Sequence, residues 1–108
     1  MSETARPALV WCPFPGPEEA RAAAATLLDE GLVACANIVP GIESHFVWNG
    51  TRESASEAGA LFKTNSERLE KVVARLEVLH PYDQPAILGW TCDAATTATV
   101  TWLGGLGG

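Results

Sequence analysis

The side chains best suited to chemistry are one thiol and one imidazole. Cys12 lies in the apolar run ALVWCPF, and His80 stands directly before Pro81-Tyr82. Thiolate and imidazole together suit copper or zinc. Two ligands from one chain are too few for a tight site, so the expectation is copper or another divalent cation, weakly bound or shared between subunits. Each residue also has a structural reading. Cys12 can be a small buried apolar residue, and His80 can close a helix C-terminus, where the dipole favours it. Glu57 and Lys63 lie six residues apart on what reads as one strand, and even spacing puts them on the same face. An acid and a lysine can line a cleft for a small anion or polar ligand. They can equally form an ion pair that stabilises an interface. His45, beside Glu43, reads as exposed or interfacial rather than as a ligand. Cys35 and Cys92 read as core residues, and Trp11, Trp90 and Trp102 as packing residues.

No motif points to a self-contained reaction. The sequence has no Walker loop, no G-x-G-x-x-G and no H-E-x-x-H, and no G-x-S-x-G nucleophile elbow. No catalytic residue is assigned, and the protein is not expected to be an enzyme. The net charge of −6 comes without a basic cluster, which excludes nucleic acid as a natural partner. No apolar run approaches the ~20 residues of a membrane helix, so a membrane is not a partner either. The N-terminal stretch is polar and carries one arginine, unlike a signal peptide. Three cysteines without paired spacing argue against a disulfide framework. The cytoplasm is the expected location.

The 108 residues, 47% hydrophobic and 19% charged, fit one ordered domain, with its core at about 8–103. Ala8 to Phe14 is apolar on both alternating faces, as a doubly covered central strand would be. Pro17, with Glu18 and Glu19 behind it, opens a helix over 17–30, and Gly31 sits where a C-cap belongs. Leu32 to Val39 is a second strand. Pro40-Gly41 interrupts it as a bulge or bend, and it resumes from Ile42 to Trp48. Asn49-Gly50 is a strong hairpin signal. The return strand runs from Thr51 to about Lys63, with Trp48 facing Thr51, Phe46 facing Glu53 and His45 facing Ser54. A bulge at Pro40-Gly41 shifts the pairs beyond it by one.

Thr64 and Glu67 fit a capping box. Leu69, Val72, Val73, Leu76 and Leu79 follow at helical spacing, and Pro81 pushes His80 out of helical geometry. Ala86 to Cys92 is a fourth strand, Ala94 to Leu103 a short helix, and the glycine-rich end should fray. The order β-α-β-β-α-β makes an α+β, ferredoxin-like sandwich, a four-stranded antiparallel sheet with two helices on one face. Leu32 to Trp48 would span roughly 55 Å at ~3.3 Å per residue, against a radius of gyration of about 13 Å for a domain of this size. The hairpin must project, and it carries Phe46, Val47 and Trp48 out of the core. A neighbouring subunit is the natural cover.

Several segments coincide with one family. They are LVACANIVPGIESHFVWNG at 32–50, Glu57 with LFKT at 61–64, and HPYDQPAI at 80–87. Leu32, Ala34, Cys35, Ser44, Trp48, Gly50, Glu57, Lys63, Thr64, His80, Pro81, Tyr82 and Pro85 match its pattern in order. The chain resembles the CutA divalent-cation-tolerance proteins over roughly residues 8–103. The resemblance implies a homotrimer, similar in shape to the PII signalling proteins, with the long hairpins at the subunit interfaces. It also implies a link to copper and other divalent cations, with Cys12 and His80 at the ligand positions of copper-binding members. Trp48, Glu57, Lys63 and Tyr82 are implied to line an intersubunit cleft. The sequence departs from the family where Phe46 replaces a tyrosine, where Leu79 replaces a second histidine, where Trp48-Asn49-Gly50-Thr51 replaces W-E-G-K, and where Thr99 replaces an aromatic.

Two functions follow as expectations. One is a trimeric divalent-cation tolerance protein that binds copper or a similar metal in metal homeostasis, with an unknown downstream protein partner. The alternative is a PII-like module that binds a small ligand or a protein partner in the intersubunit cleft. An enzyme in that cleft ranks last.

Overall fold

Chain alternation and turn chemistry dictate the body of the molecule. The computed structural model describes residues 5–107. Its order is β1 (Pro7–Phe14), α1 (Pro17–Asp29), β2 (Cys35–Trp48), β3 (Thr51–Asn65), α2 (Leu69–Leu79), β4 (Leu88–Thr91) and α3 (Thr97–Gly104). The sheet runs β2-β3-β1-β4, and every neighbouring pair is antiparallel. It is an α+β fold in which consecutive strands of the hairpin pair directly and the two longer helices make the crossovers.

One side of the sheet forms the core. Val10, Cys12 and Phe14 of β1 and Ala60 and Phe62 of β3 are fully buried there against Ala20, Ala23, Ala24 and Leu27 of α1 and Val72 and Leu76 of α2. Gly89 lies on this side too, and a side chain there would strike Leu69 and press Val73 of α2. The other side carries Leu9, Trp11 and Pro13, all half-buried. Trp11 lies across Gly59, where even a methyl group would collide with its indole ring and with Ile42. The central strand is therefore not doubly covered, as the sequence suggested. Its second face is apolar and lies away from α1 and α2, with α3 reaching only the Pro7/Asn65 end, where Asn65 Nδ2 donates to Leu103 O at 2.8 Å.

The α1 end is closed by hydrogen bonds from Gly31 N to Leu28 O at 3.1 Å and from Leu32 N to Leu27 O at 3.0 Å, the two bonds of a Schellman motif. Arg75 of α2 then grips Glu30 through two nitrogens, Nε and Nη2, at 2.9 and 2.8 Å. That pairing holds the Glu30 carboxyl below its usual range.

The hairpin follows the sequence reading closely. Trp48 faces Thr51, Phe46 faces Glu53 and His45 faces Ser54, and the register shifts between Val39 and Ile42. Asn49 and Gly50 both have positive φ, 50° and 76°, as a type I′ turn requires. The longest dimension of the molecule is 46 Å, because β2 and β3 continue well past the end of β1.

Four expectations need correction. There is no capping box at Thr64. Thr64 is still in β3, and its hydroxyl donates to Leu32 O at 2.7 Å. Asn65 closes the turn before the helix instead, accepting from Glu67 N and Arg68 N at 3.1 and 3.2 Å, and α2 starts at Leu69 with Arg68 at its N-cap and no side-chain cap bond. The second strand begins at Cys35, because Leu32 completes the helix cap. The fourth strand is only Leu88–Thr91 and α3 only Thr97–Gly104. Gly104 ends α3 and Gly105 caps it, while Gly108 lies outside the described residues.

Candidate functional site

His80 is where the chain first leaves helical geometry after α2, with φ −72° and ψ 138°. Pro81 forces that exit. The turn swings the imidazole under the end of β1, leaving the residue 7% exposed. There it stacks on Phe14 at 4.5 Å between centroids and meets Tyr82 at 4.8 Å. Both ring nitrogens are engaged. Nδ1 accepts from Tyr82 N at 3.1 Å, so the proton sits on Nε2, which donates to Pro13 O at 2.7 Å. A metal at either nitrogen must first displace one of these bonds.

Cys12 is buried on the core side of β1, opposite Ala60, with Pro13 O as its hydrogen-bond neighbour at 3.7 Å. Burial pushes the Cys12 thiol up to about 12, and the Glu57 charge adds to the effect. The thiolate is the metal ligand, and this site holds the thiol protonated at neutral pH. Among the described residues, no group of three or more His, Cys, Asp or Glu is arranged to hold a metal. The Cys12 and His80 donor set therefore does not fit a copper or zinc ion within one chain. The structural readings of both residues, small core residue and helix cap, describe their geometry.

The proposed cleft residues divide into one pair and two separated members. Glu57 lies just past the end of β1, where its carboxylate accepts from Tyr82 Oη at 2.9 Å. Burial, followed by the Glu57 hydrogen bond and charge, pushes the Tyr82 phenol up to about 12. Lys63 stands further along β3, opposite Leu9 and Cys35. Six residues of strand put it roughly 20 Å from Glu57, so the two cannot pair within one chain. Trp48 sits a similar distance the other way, at the ribbon tip, 47% exposed. Only a second copy of the chain could bring all four together.

Two features escaped sequence reasoning. The Phe14–His80–Tyr82 stack joins residues far apart in sequence, and no local pattern announces it. The second is a contact between Glu43 and His45 on the ribbon, Oε2 to Nε2 at 2.6 Å. Its signal was present, since residues two apart on a strand share a face.

Fold and sequence agree on the class. The CutA1 divalent ion tolerance protein family model matches residues 8–105, and the chain belongs to that family. A divalent-cation tolerance protein CutA from Pyrococcus horikoshii is 37% identical over 95 residues, covering 88% of this chain and 92% of that one. Protein CutA, chloroplastic, of Arabidopsis thaliana is 32% identical over 94% of this chain, which spans 56% of that longer relative. Among solved structures, the periplasmic divalent cation tolerance protein CutA from Archaeoglobus fulgidus superposes with a TM-score of 0.84 at 32% identity, covering 90% of this chain and 94% of that one.

Proposed function

We propose that the chain works as a homotrimeric divalent-cation tolerance protein, ferredoxin-like in its subunit and PII-like in shape, with binding sites between or on its subunits and no catalytic chemistry of its own. The observation that carries this is a set of exposed apolar side chains on one side of the sheet. Trp11 meets Ile42 across Gly59 on the side away from α1 and α2, and alternation continues that side to Phe46 and Trp48. Trp90 (46% exposed) and Leu88 (64%) extend it at the other edge. A single chain leaves these side chains to water, and a neighbouring subunit is their natural cover. Relatives named for divalent-cation tolerance support the cargo. Copper or another divalent cation is weakly held in this reading, and Cys12 is a core residue rather than its ligand. The three free thiols suit a reducing compartment, which supports a cytoplasmic placement. The names of two relatives, one chloroplastic and one periplasmic, show that the family is not confined to it.

Light scattering of the purified protein at micromolar concentration tests the assembly, and a trimer mass is expected. A monodisperse monomer overturns it. Copper titration of the reduced protein against a competing chelator tests the cargo. Weak uptake that survives Cys12→Ala is expected, and loss of uptake in that variant would restore the thiol as a ligand.

A second reading rests on the Tyr82–Glu57 bond at the end of the body. A phenol, a carboxylate and the flank of a stacked imidazole make a small polar patch beside an aromatic wall, suited to a small ligand in a PII-like module. A thermal shift with such a ligand, abolished by Glu57→Gln and indifferent to metal, would favour it.

A further inference from the structure

We propose that Lys63 of one subunit pairs with Glu57 of the partner subunit, an ion pair that fixes the register between neighbouring copies of this chain. The inference rests on the assembly proposed above and names the contact that aligns it.

The side of the sheet away from α1 and α2 is poor in charge. On β1, β2 and β4 every residue facing this way is uncharged, from Leu9 and Trp11 through Val39 and Phe46 to Trp90. The charges on this side all stand on β3. Lys63 lies over the body, Glu57 lies where the ribbon leaves it, and Glu53 lies further out, opposite Phe46. Lys63 and Glu57 are half-buried, while Glu53 is exposed. Lys63 faces Leu9 on one neighbouring strand and Cys35 on the other, so its stem rests on apolar ground. Among the described residues, neither Lys63 nor Glu57 pairs with an opposite charge of its own chain. Tyr82 Oη donates to one Glu57 oxygen at 2.9 Å, which orients the carboxylate without neutralising it.

A neighbour that covers this side takes water from both charges. Removing water from an unpaired ion is costly, and an opposite charge at close range offsets the cost. Within one chain the two groups stand roughly 20 Å apart, so the opposite charge must come from another copy. An identical copy offers Lys63 only two acids on this side, Glu57 and Glu53. Glu57 is the half-buried one, already oriented by a hydrogen bond. In a closed ring the pairing runs head to tail. Each subunit gives one lysine and receives one, and no charge on the pair is left over. Registers that bring Lys63 against Lys63, or Glu57 against Glu57, are disfavoured by repulsion.

Charge exchange tests the pair in the intact protein. Glu57→Lys and Lys63→Glu each put like charges in contact. Each should raise the dissociation constant roughly a hundredfold or more, read by light scattering across a dilution series, with guanidinium bringing the parent into range. The variant carrying both exchanges restores opposite signs and should recover to within about tenfold of the parent. Glu53→Lys makes the same charge change on the same strand and should move the constant by no more than about threefold. Lys63→Met keeps the apolar stem, so denaturant unfolding of the dissociated chain should be unchanged while dissociation rises roughly tenfold. A parent that assembles, with single reversals that leave its constant unmoved, overturns the pair and keeps the assembly. So does a double variant no tighter than the single ones. Disruption by Glu53→Lys but not by Glu57→Lys gives Lys63 to the other acid and overturns the pair as well. A monodisperse monomeric parent sinks the assembly, and the pair with it.

Discussion

β3 is one unbroken strand of 15 residues living in two environments. From Ala58 onward it lies in the body, where Ala58, Gly59, Ala60, Phe62, Thr64 and Asn65 are buried. From Thr51 to Ser56 every residue is exposed. The body draws its stability from apolar burial against two helices. The ribbon has only its partner strand, and an isolated two-stranded hairpin is marginal in water. A regular backbone therefore says little about where stability resides. The ribbon is held in shape by its anchorage in the body and by whatever covers its apolar side.

Substitutions can sharpen or break this contrast. The largest effect should come from the body. Phe62→Ala empties a fully buried site and should cost about 3–5 kcal/mol in denaturant unfolding. A loss near zero would mean the core is not where it is placed here. Trp48→Ala should change the stability of the dissociated chain by no more than about 0.5 kcal/mol. Assembly should weaken by about 2 kcal/mol, read as a rise in the dissociation constant by light scattering across a dilution series. Equal effects on both would erase the distinction. Gly50→Ala imposes a side chain on a left-handed turn and should cost about 1–2 kcal/mol, seen as faster amide exchange in the ribbon with the body unchanged.

The smallest effect is a titration. Tyr82 is the only tyrosine, so phenolate absorbance reports it alone. Its midpoint should lie near 12 in the folded protein against 10.0 for the free group. The folded state favours the neutral phenol. Its contribution is therefore intact below about 10 and is lost as pH rises through about 12. Glu57→Gln should move the midpoint down, and an unmoved midpoint would remove Glu57 as a cause.

Much of this was legible in the sequence where local rules are strict. Asn49-Gly50 fixed the hairpin register residue by residue. Pro40, lacking an N–H, marked the bulge. The spacing of Leu69, Val72, Val73, Leu76 and Leu79 gave α2. The missed parts depend on distant partners. Thr64 matched a capping box, but its hydroxyl went to Leu32 O, a competitor no local window contains. The fit of His80 to a metal could not be judged without knowing that Pro13 O and Tyr82 N occupy its nitrogens. Glu57 and Lys63 share a face of one strand, and their six-residue spacing already put them roughly 20 Å apart, too far to pair within one chain.

The bulge has a consequence for how this ribbon can change in length. On β2, odd-numbered residues before it and even-numbered residues after it look toward the same side, because one extra residue resets the parity of the strand. Losing a single residue at Pro40-Gly41 would remove the bulge and restore plain alternation, with Val39 still opposite Gly59 and Ile42 still opposite Glu57. Phe46 and Trp48 would keep their side, and Glu43 and His45 theirs. Removing two residues from each strand would shorten the ribbon without exchanging its faces. The ribbon thus keeps its two faces when both strands shorten in even steps, and the extra residue opposite Ala58 is the place on β2 where a single deletion exchanges nothing.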